Sequence, residues 1–249
     1  MIPLKDNIPT DRFPFVTFGL ILANVVVYLL AIRHGGSLIS GPTEYESVKY
    51  GAIPTVLTHC LTEHEVIAGN QILCTHTGGI PSWATVFTSM FMHGSILHIA
   101  GNMLFLWIFG NNVEDAMGPV KYFFFYILGG IAALALQVAI HPNETAPTLG
   151  ASGAIAAVLG GYILLYPRAR VLTLIFIILF FTVIELPAIV VLGLWFAQQI
   201  AFGAAGLTSP GASSGVAYFA HIGGFAFGLA TVKLLARRPR RVPPRYPVY

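Results

Sequence analysis

Apolar runs of about twenty residues recur along this chain, each closed by charges or by proline, and about twenty apolar residues is the length a helix needs to cross a bilayer. Of the 249 residues 56% are hydrophobic and only 9% charged, well outside the range of soluble domains. No polar stretch is long enough for a separate soluble domain, so the composition predicts one all-α, multi-spanning membrane bundle. The formal net charge of +3 is no argument for a nucleic-acid partner, because the basic residues sit at helix ends and in the tail. Their partner is the lipid bilayer, and they report orientation.

The first expected span runs from about Phe15 to Ile32. Acids at Asp6 and Asp11 precede it and no small-residue cleavage site follows, so it reads as an uncleaved helix rather than a signal peptide. A polar loop, His34 to Ser82, leads to a second span from Ile96 to the Glu114-Asp115 pair. A third covers Val120 to Ile140. A fourth opens at Ser152 and is closed by Pro167-Arg168-Ala169-Arg170. The next apolar run, Val171 to Ala205, is too long for one span, and Glu185-Leu186-Pro187 interrupts it. Proline suits a helix start and glutamate is costly at mid-membrane, which places the fifth span at Pro187–Ala205 and leaves Val171–Leu186 along the inner face. The sixth span is Val216–Leu235. The expected organisation is a six-span membrane domain over 13–235, with 34–82 as its long outer loop, and a basic cytoplasmic tail over 236–249.

Six spans bring both termini to one side. Eleven Lys and Arg residues fall there and two, Arg33 and Lys49, on the other, which puts both ends in the cytoplasm. The outer loop holds the two cysteines, Cys60 and Cys74. In an oxidising compartment they can pair, closing a loop of about 15 residues and adding roughly 3 kcal/mol in the chain-entropy model. Two free thiols are the alternative. A zinc site with His59, His64 or His76 lacks any C-x-x-C spacing.

Polar groups inside apolar spans are expensive. Taken one at a time, Ser152, His98, Asn102 and His221 each read as packing residues, but their depths agree. Counting from the inner charges of the same helix, His221 lies twelve residues before Lys233, Asn102 thirteen before Asp115 and Ser152 sixteen before Arg168. These are heights of roughly 18 to 24 Å in a core of about 30 Å. His98 and Asn102, four apart, share a helix face. Ser152, Ala156 and Gly160 form one line of small residues; Ala220, Gly224 and Gly228 form another, beside His221. Such lines let two helices approach closely, which would bring the Ser152 hydroxyl to an imidazole nitrogen.

Acyl transfer needs these parts. A serine hydroxyl attacks once a base takes its proton, and histidine titrates in the appropriate range. The Asn102 amide, the His98 ring and the Ser152 backbone N–H are the expected donors to an oxyanion. Glu114 and Asp115 lie at the wrong end to serve as a third member, so the expectation is a Ser–His dyad. The nucleophile elbow of soluble hydrolases is excluded, since G-x-S-x-G fails at Ala154 and no strand precedes Ser152.

With these residues in order, His93-x4-His98-x3-Asn102, then Gly150-Ala151-Ser152-Gly153, then Ala220-His221-x2-Gly224-x3-Gly228, the chain resembles the rhomboid family of intramembrane serine proteases from about Trp83 to Leu235. The resemblance is to bacterial-type members with six transmembrane helices. It implies an intramembrane serine endopeptidase without cofactor or metal. Ser152 would be the nucleophile and His221 the general base, with oxyanion contacts from His98, Asn102 and the Ser152 backbone. His93, Gly150, Gly153 and Gly224 would support them. It implies transmembrane protein substrates, no nucleic acid, an unspecified oligomeric state, and a plasma (inner) membrane location with a cavity opening to the extracytoplasmic side. Two features depart from some family members. Ala156 stands where an aromatic residue stacks on the catalytic histidine, and the His34–Ser82 loop has no Trp-Arg pair.

The competing readings are a non-catalytic rhomboid-like protein that binds membrane helices, or a transporter relaying protons through His98 and His221. Haem or metal binding by these histidines is poorer, because no intramembrane carboxylate or thiolate joins them.

Overall fold

The computed structural model of the chain describes residues 1–59, 80–177, 180–208 and 215–237. Cys60, Cys74, His64 and His76 lie outside these residues, as does the basic tail beyond Arg237. In order, the elements are strand β1 (Ile2–Asp6) and helices α1 (Phe15–Ala31), α2 (Glu44–Tyr50), α3 (Pro54–His59), α4 (Ser82–Thr88), α5 (Ile96–Phe105), α6 (Asn111–Met117), α7 (Pro119–Ile140) and α8 (Ser152–Leu165). Strands β2 (Arg170–Ile177) and β3 (Phe180–Pro187) follow, then α9 (Ala188–Thr208) and α10 (Tyr218–Leu235). A π-helical turn, Leu106–Gly110, joins α5 to α6, so the two form one rod.

Among the described residues, five helices are long and apolar enough to cross a bilayer: Phe15–His34, Ile96–Met117, Pro119–Ile140, Ala188–Thr208 and Tyr218–Leu235. Their bounds fall within a few residues of those expected from the sequence. The sixth apolar helix, α8, has only 14 residues. At 1.5 Å per residue it rises about 21 Å, less than a hydrocarbon core of about 30 Å. Its first residue, Ser152, therefore starts below the level reached by the longer helices, after the irregular stretch 141–151. Irregular backbone among membrane helices is tolerated where it lines a cavity, and Thr148, Leu149 and Gly150 do so. The segment before α4 braces it: Ala52 and Thr148 exchange backbone hydrogen bonds of 3.1 and 2.8 Å, and the Thr55 N–H donates to the Glu144 carbonyl at 3.0 Å.

Helix α8 is the axis of the bundle, with every residue from Gly153 to Tyr162 buried. A helix apolar on all sides belongs in such a position. It packs against α7 on one side and α10 on the other, and the α10 contact relies on missing side chains. A Cβ at Gly224 would fall 2.1 Å from the Gly153 carbonyl oxygen, and one at Gly228 would fall 2.0 Å from that of Ala157. Both are impossible distances, so the expected α10 line meets the α8 backbone directly, but at Gly153 and Ala157, one residue along from the expected Ser152–Ala156–Gly160 line, whose Gly160 instead approaches the Phe225 carbonyl. Ala156 lies in this seam, where a Cβ at Gly224 would also meet its own Cβ at 3.2 Å. The seam leaves no room for an aromatic ring at 156.

The stretch Val171–Leu186 is not a span, as expected, but it is more ordered than a segment lying along a surface. It forms an antiparallel hairpin in register from Arg170↔Pro187 to Ile177↔Phe180. Its β-branched and aromatic residues favour that state. The strand β1, which sequence periodicity did not indicate, adds to the free side of β2. One carboxylate holds this sheet to the helices. Asp6 Oδ2 accepts from the Tyr162 hydroxyl of α8 at 2.5 Å and from Asn112 Nδ2 of α6 at 2.6 Å. Burial pushes its pKa from the ordinary 3.8 to about 7 despite these donors. The folded protein thus holds a proton that the unfolded chain releases near pH 4, so Asp6 costs stability progressively as pH rises from about 4 and the loss levels off above about 7. The gap corresponds to roughly 4 kcal/mol. Melting temperature in detergent should therefore fall over this range in the wild type, and the fall should be much smaller in Asp6→Asn. An equal fall in both proteins would exclude Asp6 as its source.

A second carboxylate works at long range. Glu114 on α6 accepts from the Val16 and Thr17 N–H groups at 3.0 and 2.8 Å and from the Thr17 hydroxyl at 2.8 Å. It satisfies the opening turn of α1, where orphan N–H groups and the positive end of the helix dipole favour an anion. This gives Glu114 a structural place far from Ser152.

Candidate active site

Seating Gly224 on Gly153 brings their neighbours into contact. Ser152 Oγ and His221 Nε2 lie 2.8 Å apart, a normal hydrogen bond between the first residue of α8 and the first turn of α10. The N-terminal turn of α8 receives no side-chain cap, so its amide end faces the site unblocked. The start of α10 is held from α7, where Gln137 Oε1 accepts from the Ala220 N–H at 3.2 Å.

Gly150 has φ +118°, a backbone conformation open to glycine, and its N–H donates to the Ser89 carbonyl at 2.9 Å. A Cβ there would come within 2.7 Å of His98 Nε2 and 3.5 Å of Asn102 Nδ2. Both side chains of α5 therefore close around the loop that leads into Ser152. A small N-cap aims them: Ser95 Oγ accepts from the His98 N–H at 3.2 Å and opens α5.

His93 is fully buried just before α5. Its Nδ1 lies 3.3 Å from the Phe91 carbonyl, to which only an N–H can donate, so Nε2 is left as an acceptor. Asn102 Nδ2 donates to that Nε2 at 2.9 Å. The His93 ring also meets His98 edge to face, centroids 5.0 Å apart. Its place is thus to orient the Asn102 amide and back the His98 ring. Sequence reading assigned it only to support.

The convergence encloses a cavity of about 270 Å³ lined by His98, Asn102, Gly150, Ser152 and His221 among others. The residues that depth counting singled out on three separate helices thus come together in one place. Gln199, on α9, was not singled out. It is buried, and its Oε1 lies 2.8 Å from His221 Nδ1. Trp195, one turn earlier, lies over the same imidazole with centroids 5.7 Å apart. The available signal was a glutamine pair in an otherwise apolar span, the same cost argument that picked out Asn102.

Five long apolar helices and one shorter one, with a serine, an imidazole and an amide around one cavity, define a multi-pass membrane protein with a polar site among its helices. The family model for the rhomboid domain matches residues 81–238, more than half of the chain. The chain belongs to the rhomboid family. It is 31% identical over 156 residues to "Rhomboid protein 1, mitochondrial" of Saccharomyces cerevisiae, covering 60% of this chain and 41% of the yeast protein. It is 28% identical over 163 residues to "Rhomboid-like protein 11, chloroplastic" of Arabidopsis thaliana, covering 64% of this chain and 55% of the plant protein. With the human "Presenilin-associated rhomboid-like protein, mitochondrial" it shares 32% identity over 94 residues, 37% of this chain and 24% of the human one. The matches thus span from about a quarter to just over half of the relatives' own length. These names are mitochondrial and chloroplastic, so the resemblance to bacterial-type members narrows to membership of the family.

Proposed function

We propose that the protein is an intramembrane serine endopeptidase that hydrolyses peptide bonds in or near the transmembrane helices of other membrane proteins. The observation that carries this reading is the 2.8 Å contact between Ser152 Oγ and His221 Nε2 at the edge of the cavity. His221 Nε2 takes the hydroxyl proton as Oγ attacks the scissile carbonyl. The oxyanion receives hydrogen bonds from Asn102 Nδ2, from His98 and from the amide end of α8 at Ser152. His221 then passes its proton to the leaving amine, and water, activated by the same imidazole, releases the acyl group.

A serine-directed fluorophosphonate tests the reading without a known substrate. Oγ attacks phosphorus, fluoride leaves, and His221 takes the proton. Wild-type protein should be labelled and Ser152→Ala should not. Equal labelling of the two would overturn the assignment of Ser152.

We further propose that both termini are cytoplasmic and the cavity opens to the opposite side of the membrane, resting on the eleven-to-two Lys/Arg distribution. A reporter fused after Tyr249 should be cytoplasmic and a tag near Thr77 accessible from outside. Finding both on one side would overturn the arrangement.

A further inference from the structure

The dyad leaves one nitrogen of His221 without a task, and a misplaced proton on that ring would stop the reaction. A neutral imidazole carries its proton on either nitrogen. Only the form with hydrogen on Nδ1 and a lone pair on Nε2 can accept from the Ser152 hydroxyl. Neither α8 nor α10 supplies a group that selects this form, and Ala156 is locked in the helix seam.

We propose that Gln199 is a positioning residue that sets the tautomer and ring orientation of His221, as the neutral third member of a Ser152–His221–Gln199 relay. This rests on the proposed protease reading. Two distances carry the argument. Gln199 Oε1 lies 2.8 Å from His221 Nδ1, while Gln199 Nε2 donates to the Trp195 carbonyl at 3.3 Å. The second contact decides which end of the amide faces the histidine. A carbonyl can only accept, so the amide end beside Trp195 is NH2 and the end beside His221 is oxygen. That oxygen can only accept in turn, so the imidazole proton sits on Nδ1 and the Nε2 lone pair faces Ser152 Oγ at 2.8 Å. Turned over, the amide would set NH2 against Nδ1, move the imidazole proton to Nε2 and leave the serine without a base.

Burial makes the selection firm. Gln199 is 5% exposed, so water does not compete for Nδ1 from that side. Trp195, on the same face of α9, limits tilting of the ring. As His221 takes the serine proton, the Nδ1–H···O bond becomes charge-assisted and strengthens with the developing positive charge. The amide itself stays neutral, so the relay holds the imidazolium without burying a carboxylate in the membrane. Helix α9, which contributes neither nucleophile nor base, thereby becomes part of the site.

The test uses full-length protein in detergent with Gln199→Met, which keeps shape without the acceptor, and Gln199→Glu, which keeps an acceptor oxygen at the same reach. Gln199→Met should lower kcat on a model membrane substrate roughly a hundredfold, the size expected when a catalytic group loses its orientation, with KM unchanged. Its fluorophosphonate labelling should slow to match, and Gln199→Glu should recover most of the loss. Wild-type kcat in Gln199→Met, or equal losses in both variants, would overturn the proposal. Nitrogen-15 histidine NMR of the wild type, assigned against His221→Ala, needs no Gln199 variant: it should show Nδ1–H on His221, and an Nε2–H form would overturn the proposal. The two readings fail separately. Cleavage retained by Ser152→Ala would remove the protease mechanism, whereas an inactive Ser152→Ala beside a fully active Gln199→Met removes only the role of Gln199.

Discussion

Ser152→Ala and His221→Ala should each lower kcat on a model membrane substrate by roughly ten-thousandfold or more, and the double variant should be scarcely worse than either single one. The pair acts as a unit joined by one 2.8 Å hydrogen bond, so removing either partner leaves the other with nothing to do. Stability should move little by comparison. A hydrogen bond contributes on the order of 1 kcal/mol net, and both side chains border a cavity rather than close-packed core. Additive losses in the double variant would show that the two residues act independently. Wild-type cleavage in Ser152→Ala would exclude the nucleophile proposed here.

Asn102→Ala is expected to have the next largest effect. Its amide nitrogen carries two hydrogens; one bonds His93 Nε2 at 2.9 Å, and the side chain lines the cavity beside Ser152. The second hydrogen is available to a charge that forms only during reaction. Removing one such donor costs about 2.7 to 4 kcal/mol, or roughly a hundred- to a thousandfold in kcat, with KM little changed because ground-state binding is not what is lost. The bond to His93 supplies the competing outcome. An asparagine present only to join α5 to the His93 turn would, when lost, lower the melting temperature and leave the kcat of the folded fraction intact. Measuring kcat, KM and melting temperature on the same purified variant decides between them, and an unaltered kcat in a destabilised protein would remove Asn102 from the oxyanion site.

Spans were legible from the sequence because a bilayer imposes one length and one composition on any helix that crosses it. The division of Val171–Ala205 at Pro187 followed from the same cost argument, and α9 begins at Ala188. Ser152, Asn102 and His221 were legible through depth, since each could be counted from charges on its own helix. The α10 small-residue line was legible through its four-residue period, whereas its partners on α8 fall at Gly153 and Ala157, one residue along from the expected line. The β-hairpin partners, the β1 strand and the Glu114 cap on α1 were not, because each pairs groups that no local period relates. The Glu114 contact to Thr17 spans 97 positions and the Tyr162 contact to Asp6 spans 156.

By itself the sequence determined a membrane bundle of apolar helices and pointed to a hydroxyl, an imidazole and an amide at similar heights within it. Periodicity and hydropathy act along a single helix and suffice for that. Which atoms meet was decided only by tertiary structure. The backbone contact of Gly224 with Gly153 sets Ser152 Oγ against Nε2 of His221, and His93 turns the Asn102 amide. Gln199 reaches Nδ1 from α9, 22 residues away along the chain. A hydrogen bond requires its partners to be placed within a few tenths of an ångström, and that placement comes from helices packed against one another.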